Sequence, residues 1–208
     1  MELTKPKFRG VLHQVAFYVS LITGPVLVLI ARAGNHLAAA IYSVAMSALF
    51  GVSALYHKPS WGPKVRRWLG RIDHTMIMVF TAATFTPIAL ALDSDWSRIV
   101  LVIAWSAALL GMLLWLLPLN MPKSVAVIPF LALGWFGVSL FPASFSQIGL
   151  APPLLLLVGG LLYTIGAVAY ARRSPNPRPA VFGYHEVFHA FVVAAAYVHY
   201  GAIALTVA

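Results

Sequence analysis

Seven apolar stretches, each long enough to cross a bilayer as a helix, alternate with short basic or proline-containing connectors. They cover roughly residues 11–31, 36–57, 72–92, 97–117, 123–141, 153–171 and 183–205. The pattern predicts an all-α protein, an integral membrane seven-transmembrane-helix bundle, built as one domain over residues 1–208 without a long linker or a strong internal repeat. The polar, basic start of the chain has no cleavable signal pattern, because the first apolar run is itself long enough to span. Composition agrees. The chain is 61% hydrophobic and only 9% charged, where a soluble domain carries roughly 25% charged residues. It has no cysteine, so any metal must be held by His, carboxylate, hydroxyl or water.

The connectors also orient the bundle. With seven spans, the N-terminus and the second, fourth and sixth loops share one side. That side carries Lys5, Lys7, Arg9, Lys58, Lys64, Arg66, Arg67, Arg71, Lys123, Arg172, Arg173 and Arg178, while only Arg32 and Arg98 lie on the other. The positive-inside rule then puts the N-terminus in the cytoplasm and the C-terminus outside. The net charge of +9 is accounted for by these loops and does not imply nucleic acid. The stretch from Lys58 to Arg71, with Trp61 and Trp68 among its basic residues, reads as a membrane-surface loop.

A few polar side chains interrupt the apolar spans. His185 and His189 lie four apart on one helix, about 40° apart around its axis, one turn above each other. Ser53 and His57 have the same spacing at the end of the second span. Asp73 and Glu186 are the two acids at or within a span. Asp73 opens the third span with Thr84 on its face, a place where a plain helix N-cap is the simpler explanation. His74 points about 100° away from Asp73. His13, near the cytoplasmic end of the first span, reads as an interfacial polar residue. The fourth to sixth spans hold small residues, Gly159 and Gly160 among them, that let helices approach closely. Combined with the topology, these positions put His57, Asp73, His185 and His189 at one depth, in the inner leaflet. Three neutral imidazoles plus one water or carboxylate suit a four-coordinate zinc with an open position. A set of satisfied core histidines is the plainer alternative. The run from His185 to His189 also reads H-E-x-x-H, the zinc metalloprotease signature with Glu186 as base. His199, about 15 Å along the axis and roughly 80° around it, cannot supply the third ligand that signature needs.

The runs Ser53-Ala-Leu-Tyr-His57, Asp73-His-Thr-Met-Ile leading to Thr84-Phe-Thr-Pro87, and His185-Glu-Val-Phe-His189 resemble the hemolysin III family. That family belongs with the progestin and adipoQ (adiponectin) receptors and, more distantly, the alkaline ceramidases. One departure is Ala82-Ala83-Thr84-Phe85, where members commonly have Ala-Gly-Thr-Tyr. The resemblance implies a seven-helix fold in a bacterial cytoplasmic membrane, with zinc held by His57, His185 and His189. Asp73 would hold the water at the zinc, and Ser53 would be a nearby polar group. The implied function is a zinc-dependent hydrolase of lipid amides or esters, with membrane lipids as partners and a lipid substrate or ligand in the bundle. The alternatives are a lipid-responsive, non-enzymatic protein with structural zinc, and a cytolytic pore former. No row of polar residues long enough to line a pore supports the last.

The orientation yields a direct test. A reporter fused after Ala208 should report the outside of the membrane, and a cytoplasmic signal there would invert the whole assignment.

Overall fold

The computed structural model describes residues 5–116 and 127–208. Seven helical spans account for most of them: α1 (Val11–Ile30), α2 (His36–His57), α3 (Pro63–Ala91), α4 (Asp95–Leu116), α5 (Ile128–Gln147), α6 (Ala151–Arg172) and α7 (Tyr184–Val207). Among the described residues there is no strand beyond an isolated bridge between Arg178 and Phe182. The expected seven-helix membrane bundle is what the chain forms. Sequence neighbours α1 and α2, α2 and α3, α3 and α4, and α6 and α7 pack along their lengths. Helix α7 also rests on α1, α2 and α3 and closes the ring, whereas α5 touches α3, α4 and α6 more sparsely.

The bundle turns apolar side chains outward. Ile22, Leu29, Leu37, Val44 and Val102 are exposed, while the interior holds alanines such as Ala39, Ala82, Ala104 and Ala195 together with Ser20, Ser43, Thr84 and Thr86. Lipid is as apolar as leucine, so helices gain little by hiding leucine from it. Close packing of small residues and interhelical hydrogen bonds hold the bundle instead. Ser43 donates to the Gly24 carbonyl (3.1 Å) and Ser20 to Ser47 Oγ (2.9 Å), which ties α1 to α2. Tyr42 donates to the Ala196 carbonyl, Tyr197 to that of Ala16 and Tyr200 to that of Thr23, and these bonds lace α7 to α2 and α1.

Two spans depart from the hydropathy reading. Helix α3 begins at Pro63, so most of the loop expected over Lys58 to Arg71 is helix. Pro63 is well placed at the first helical position, where its missing N–H is no loss. The next turns carry Lys64, Arg66 and Arg67, which an apolar scan rejects although they are helical. Asp73 consequently lies inside the helix, and the N-cap explanation for it is excluded. Helix α5 runs to Gln147, beyond the expected end at 141, and breaks into a 3₁₀ turn over Gly137–Leu140 before resuming at Phe141–Gln147. Phe85 of α3 sits against that break. A Cβ on Gly137 would come within 2.5 Å of the Phe85 ring. The expected start of the fifth span at 123, with Lys123, and the expected end of the fourth at 117 lie outside the described residues.

The close approach expected at Gly159 is present on α6. A Cβ there would lie 2.1 Å from the His199 ring of α7, whereas Gly160 faces open space. His199 is held in this socket with Nε2 3.1 Å from the Leu156 carbonyl. Gly159→Ala should therefore destabilise the protein by about 2 kcal/mol despite alanine's better helix propensity, while Gly160→Ala should be neutral or stabilising. Thermal unfolding of the two variants in detergent compares them directly.

Candidate metal centre

The site forms where the ends of α2 and α7 meet the third turn of α3. His185 and His189 face inward because α7 starts where it does. Gly183, in extended conformation, is its N-cap, and the Gly183 N–H donates to Glu186 Oε2 (2.8 Å) in a capping box. Asn176 Oδ1 accepts from the next amide, that of Tyr184 (3.1 Å). The second oxygen of Glu186, Oε1, accepts from Arg9 Nε at 2.5 Å. Glu186 is only 1% exposed. Both its oxygens are engaged, one by Arg9 of the N-terminal segment and the other by the amide at its own helix cap. This removes the general-base role that the H-E-x-x-H spelling would assign to it.

The three imidazoles converge. One ring nitrogen of each of His57, His185 and His189 lies within 4.8 Å of the others, and all three residues are buried. His57 Nε2 and His185 Nε2 are 3.2 Å apart. Two nitrogens bound tetrahedrally to one zinc at about 2.0–2.1 Å would be roughly 3.3 Å apart, so the donor set fits the ion. The same spacing also suits an imidazole–imidazole hydrogen bond in the metal-free chain. A third imidazole and a carboxylate beside the same nitrogen favour the metal reading: Asp73 Oδ2 lies 3.6 Å from His57 Nε2. His57 is seated from behind by Gly10. That residue adopts φ 79°, and a Cβ on it would come within 3.0 Å of both His57 Cβ and the Lys58 amide nitrogen.

A cavity of about 490 Å³ opens from this cluster into the bundle. Ser53, Asp73 and the three histidines line one end, and Ile88, Leu140, Leu156 and Val192 line apolar parts of its wall. Ser53 therefore shares the chamber with the cluster, one turn before His57. Thr84 lines it too, with its hydroxyl donated to the Phe80 carbonyl (2.8 Å). His74 leaves the cluster as expected. Its Nδ1 lies 2.6 Å from the Gly70 carbonyl, and its ring stacks on Trp115. His36 is exposed at the far end of α2, roughly 30 Å away.

A correction concerns His13. It is not interfacial but 3% exposed, and its ring stacks on His189 at 3.9 Å and 5°. Neither of its ring nitrogens meets a hydrogen-bond partner among the described residues. The signal was available in the spacing. Positions 13, 16, 20, 24 and 27 form the buried stripe of α1, and a helical period through Ala16, Ser20 and Gly24 carries His13 inward with them. Arg9 had no such signal, since nothing in the order of residues pairs it with Glu186.

Comparison with known proteins shows the family. A family model described as Haemolysin-III related matches residues 1–200. The chain belongs to that family. It is 29% identical over 154 residues to the hemolysin-3 homolog of Bacillus subtilis (strain 168), covering 74% of this chain and 69% of that protein. It is 26% identical over 175 residues to hemolysin-3 of Bacillus cereus, covering 80% and 76%. It is also similar to the adiponectin receptor protein of Drosophila melanogaster, 39% identical over 85 residues, which are 36% of this chain and 19% of that protein. This haemolysin-III-related chain is thus a multi-pass integral membrane protein with three buried histidines able to form a metal site.

Breaking the Arg9–Glu186 pair tests how the site is held. Arg9→Ala leaves a buried carboxylate without its cation and should cost about 3 kcal/mol. Glu186→Gln in the same background should recover part of that loss. Thermal unfolding of the single and double variants gives the comparison, and equal losses in both would show that the pair carries no such weight.

Proposed function

We propose that this protein is a zinc-dependent hydrolase of lipid amides or esters, working in the cytoplasmic leaflet of a bacterial cytoplasmic membrane. The observation that carries the reading is the junction of polar cluster and apolar chamber. Three imidazoles and a carboxylate stand at one end of a bilayer-embedded cavity large enough for an acyl chain. His57, His185 and His189 would hold the ion. Zinc there would supply a Lewis acid for a carbonyl and lower the pKa of water toward 7.

The chain's own residues supply the remainder. Asp73, whose Oδ2 lies 3.6 Å from His57 Nε2, would accept the proton of the attacking water. The Ser53 hydroxyl can donate a hydrogen bond to the oxygen on which charge develops. The apolar chamber binds the acyl chain and keeps bulk water from the reacting carbonyl. His13 supports His189 through the stacked ring and, with its free nitrogens, can accept or donate one hydrogen bond to whatever occupies the chamber.

A second reading draws on the relative named an adiponectin receptor protein. In it, the same ion only ties α2 and α7 together and the chamber senses a lipid without turning it over. The names of the two Bacillus relatives bring in cytolysis, for which liposome leakage by the purified protein is the assay.

Lipid turnover by the parent protein separates the first two, and Asp73→Asn tests the role of the carboxylate. Amide and carboxylate have nearly the same size and three imidazoles remain, so zinc should stay at one per chain. Turnover of acyl-ester and amide lipids should fall by about 10²–10⁴-fold, because an amide accepts no proton at neutral pH. Zinc lost together with activity would make Asp73 a ligand. Retained zinc with unchanged turnover would remove it from the chemistry. On the same reading, His185→Ala should lose most bound zinc while His36→Ala and His199→Ala keep it. Zinc should also leave below about pH 6, since imidazole must be neutral to bind.

A further inference from the structure

A second cavity, of about 310 Å³, adjoins the first on the side of the N-terminal segment. The two share a wall made of Arg9, Tyr56, His57, Arg66 and Tyr184. Arg9 and Arg66 border both, but Asp73 lines only the first and Lys5 only the second. Lys5, Arg9 and Arg66 line the second cavity, and no described Asp or Glu does. Arg9 is already committed to Glu186. Lys5 is anchored only by neutral groups, since its Nζ donates to the carbonyls of Lys58 (2.8 Å) and Pro59 (3.3 Å). Arg66 forms no ion pair with any described residue. Burial first, and then the Arg66 and Arg9 charges, hold the Lys5 ammonium below the usual lysine range, as expected where cations crowd without a counter-ion.

We propose that this vestibule binds the phosphate of an acidic head group, so that the lipid taken by the apolar chamber is an anionic acyl lipid rather than a neutral one. The inference rests on the lipid reading above and narrows it. A guanidinium presents its donors in a planar fork suited to phosphate oxygens, and an ammonium beside it adds a point charge. Arg66 and Lys5 come from two separate segments that meet at this cavity. The lipid would lie with its head against them, its chain in the 490 Å³ chamber, and the linkage between the two beside His57, which lines both spaces. A neutral head group gains no such charge pairing, so its affinity should be lower.

The test compares two probes with the same acyl chain, oleoyl lysophosphatidic acid and monooleoylglycerol. Their binding to the full-length protein in zwitterionic nanodiscs is followed by displacement of a fluorescent acyl probe. The phosphate lipid should bind about tenfold more tightly. Lys5→Gln with Arg66→Gln should reduce that preference to near parity without changing the affinity for monooleoylglycerol. Arg67→Gln, which removes the same charge one residue along outside both cavities, should leave the preference intact. Equal affinity for the two lipids in the parent, a preference that survives the double substitution, or an equal loss in Arg67→Gln would each overturn the proposal. Inorganic phosphate identifies the source of the anion. If it displaces the phosphate lipid and is itself lost on Arg66→Gln, the vestibule takes free phosphate as well. If it does not compete, the head group is the ligand. Turnover measured on the same preparations keeps the two readings apart. Hydrolysis of both lipids without any preference in binding overturns the vestibule and leaves the hydrolase. Charge-dependent binding without hydrolysis does the reverse.

Discussion

A carboxylate buried in the first turn of α7 needs a cation close by, and Arg9 supplies it from the other end of the chain. The cost of leaving such a charge unpaired in a low-dielectric interior is several kcal/mol. The pair therefore fixes more than one contact. It sets the rotation of the turn that carries His185 and His189. It also draws the N-terminal segment across the end of the bundle, where the Lys7 and Phe8 amides donate to the carbonyls of Ala180 and Val181. Gly10 is left against the end of α2, behind His57. Glu186 thereby ties the turn that carries His185 and His189 to the N-terminal segment that backs His57.

The surrounding lipid explains why the cluster sits where it does. With apolar side chains turned outward, polar groups are confined to the bundle interior, and there they must find one another or line a cavity. The imidazoles, Asp73 and Ser53 do this at one end of the chamber. The serines and threonines nearer the middle turn back on backbone carbonyls, as Thr84 and Thr86 do on Phe80 and Ala82. Polar content is thus divided between groups satisfied within their own helix and groups clustered against the cavity. The division follows depth, with the clustered set near the basic end of the bundle.

Much of this was legible in the residues alone. Long apolar runs locate spans because a bilayer demands some twenty of them, and a four-residue spacing locates a shared helix face. Depth came from counting loops, which brought His57, Asp73, His185 and His189 together on paper as they come together in the fold. The failures have separate causes. Helix α3 starts early because its first turns lie beyond the apolar run, where charge masks helicity from a hydropathy scan. The break in α5 coincides with a tertiary contact, Phe85 against Gly137, that no local pattern marks. His13 was misjudged because one polar residue near a span end says little until its whole stripe is traced. Glu186 carries only the look-alike motif, and the position of Arg9, far away in sequence, reveals the cap and ion pair it serves.

Helix α7 is the last of the seven to be synthesised, and it brings two of the three clustered imidazoles with it. Until it inserts beside α1, α2 and α3, His57 and Asp73 have no site to belong to, and Arg9 has no glutamate. Without α7 the bundle would keep His57 and Asp73 but lack two of the three clustered imidazoles. The Arg9–Glu186 clamp thus makes insertion of α7 a condition for assembling the cluster, with α7 arriving as the closing stave of a barrel whose other members already stand in the bilayer.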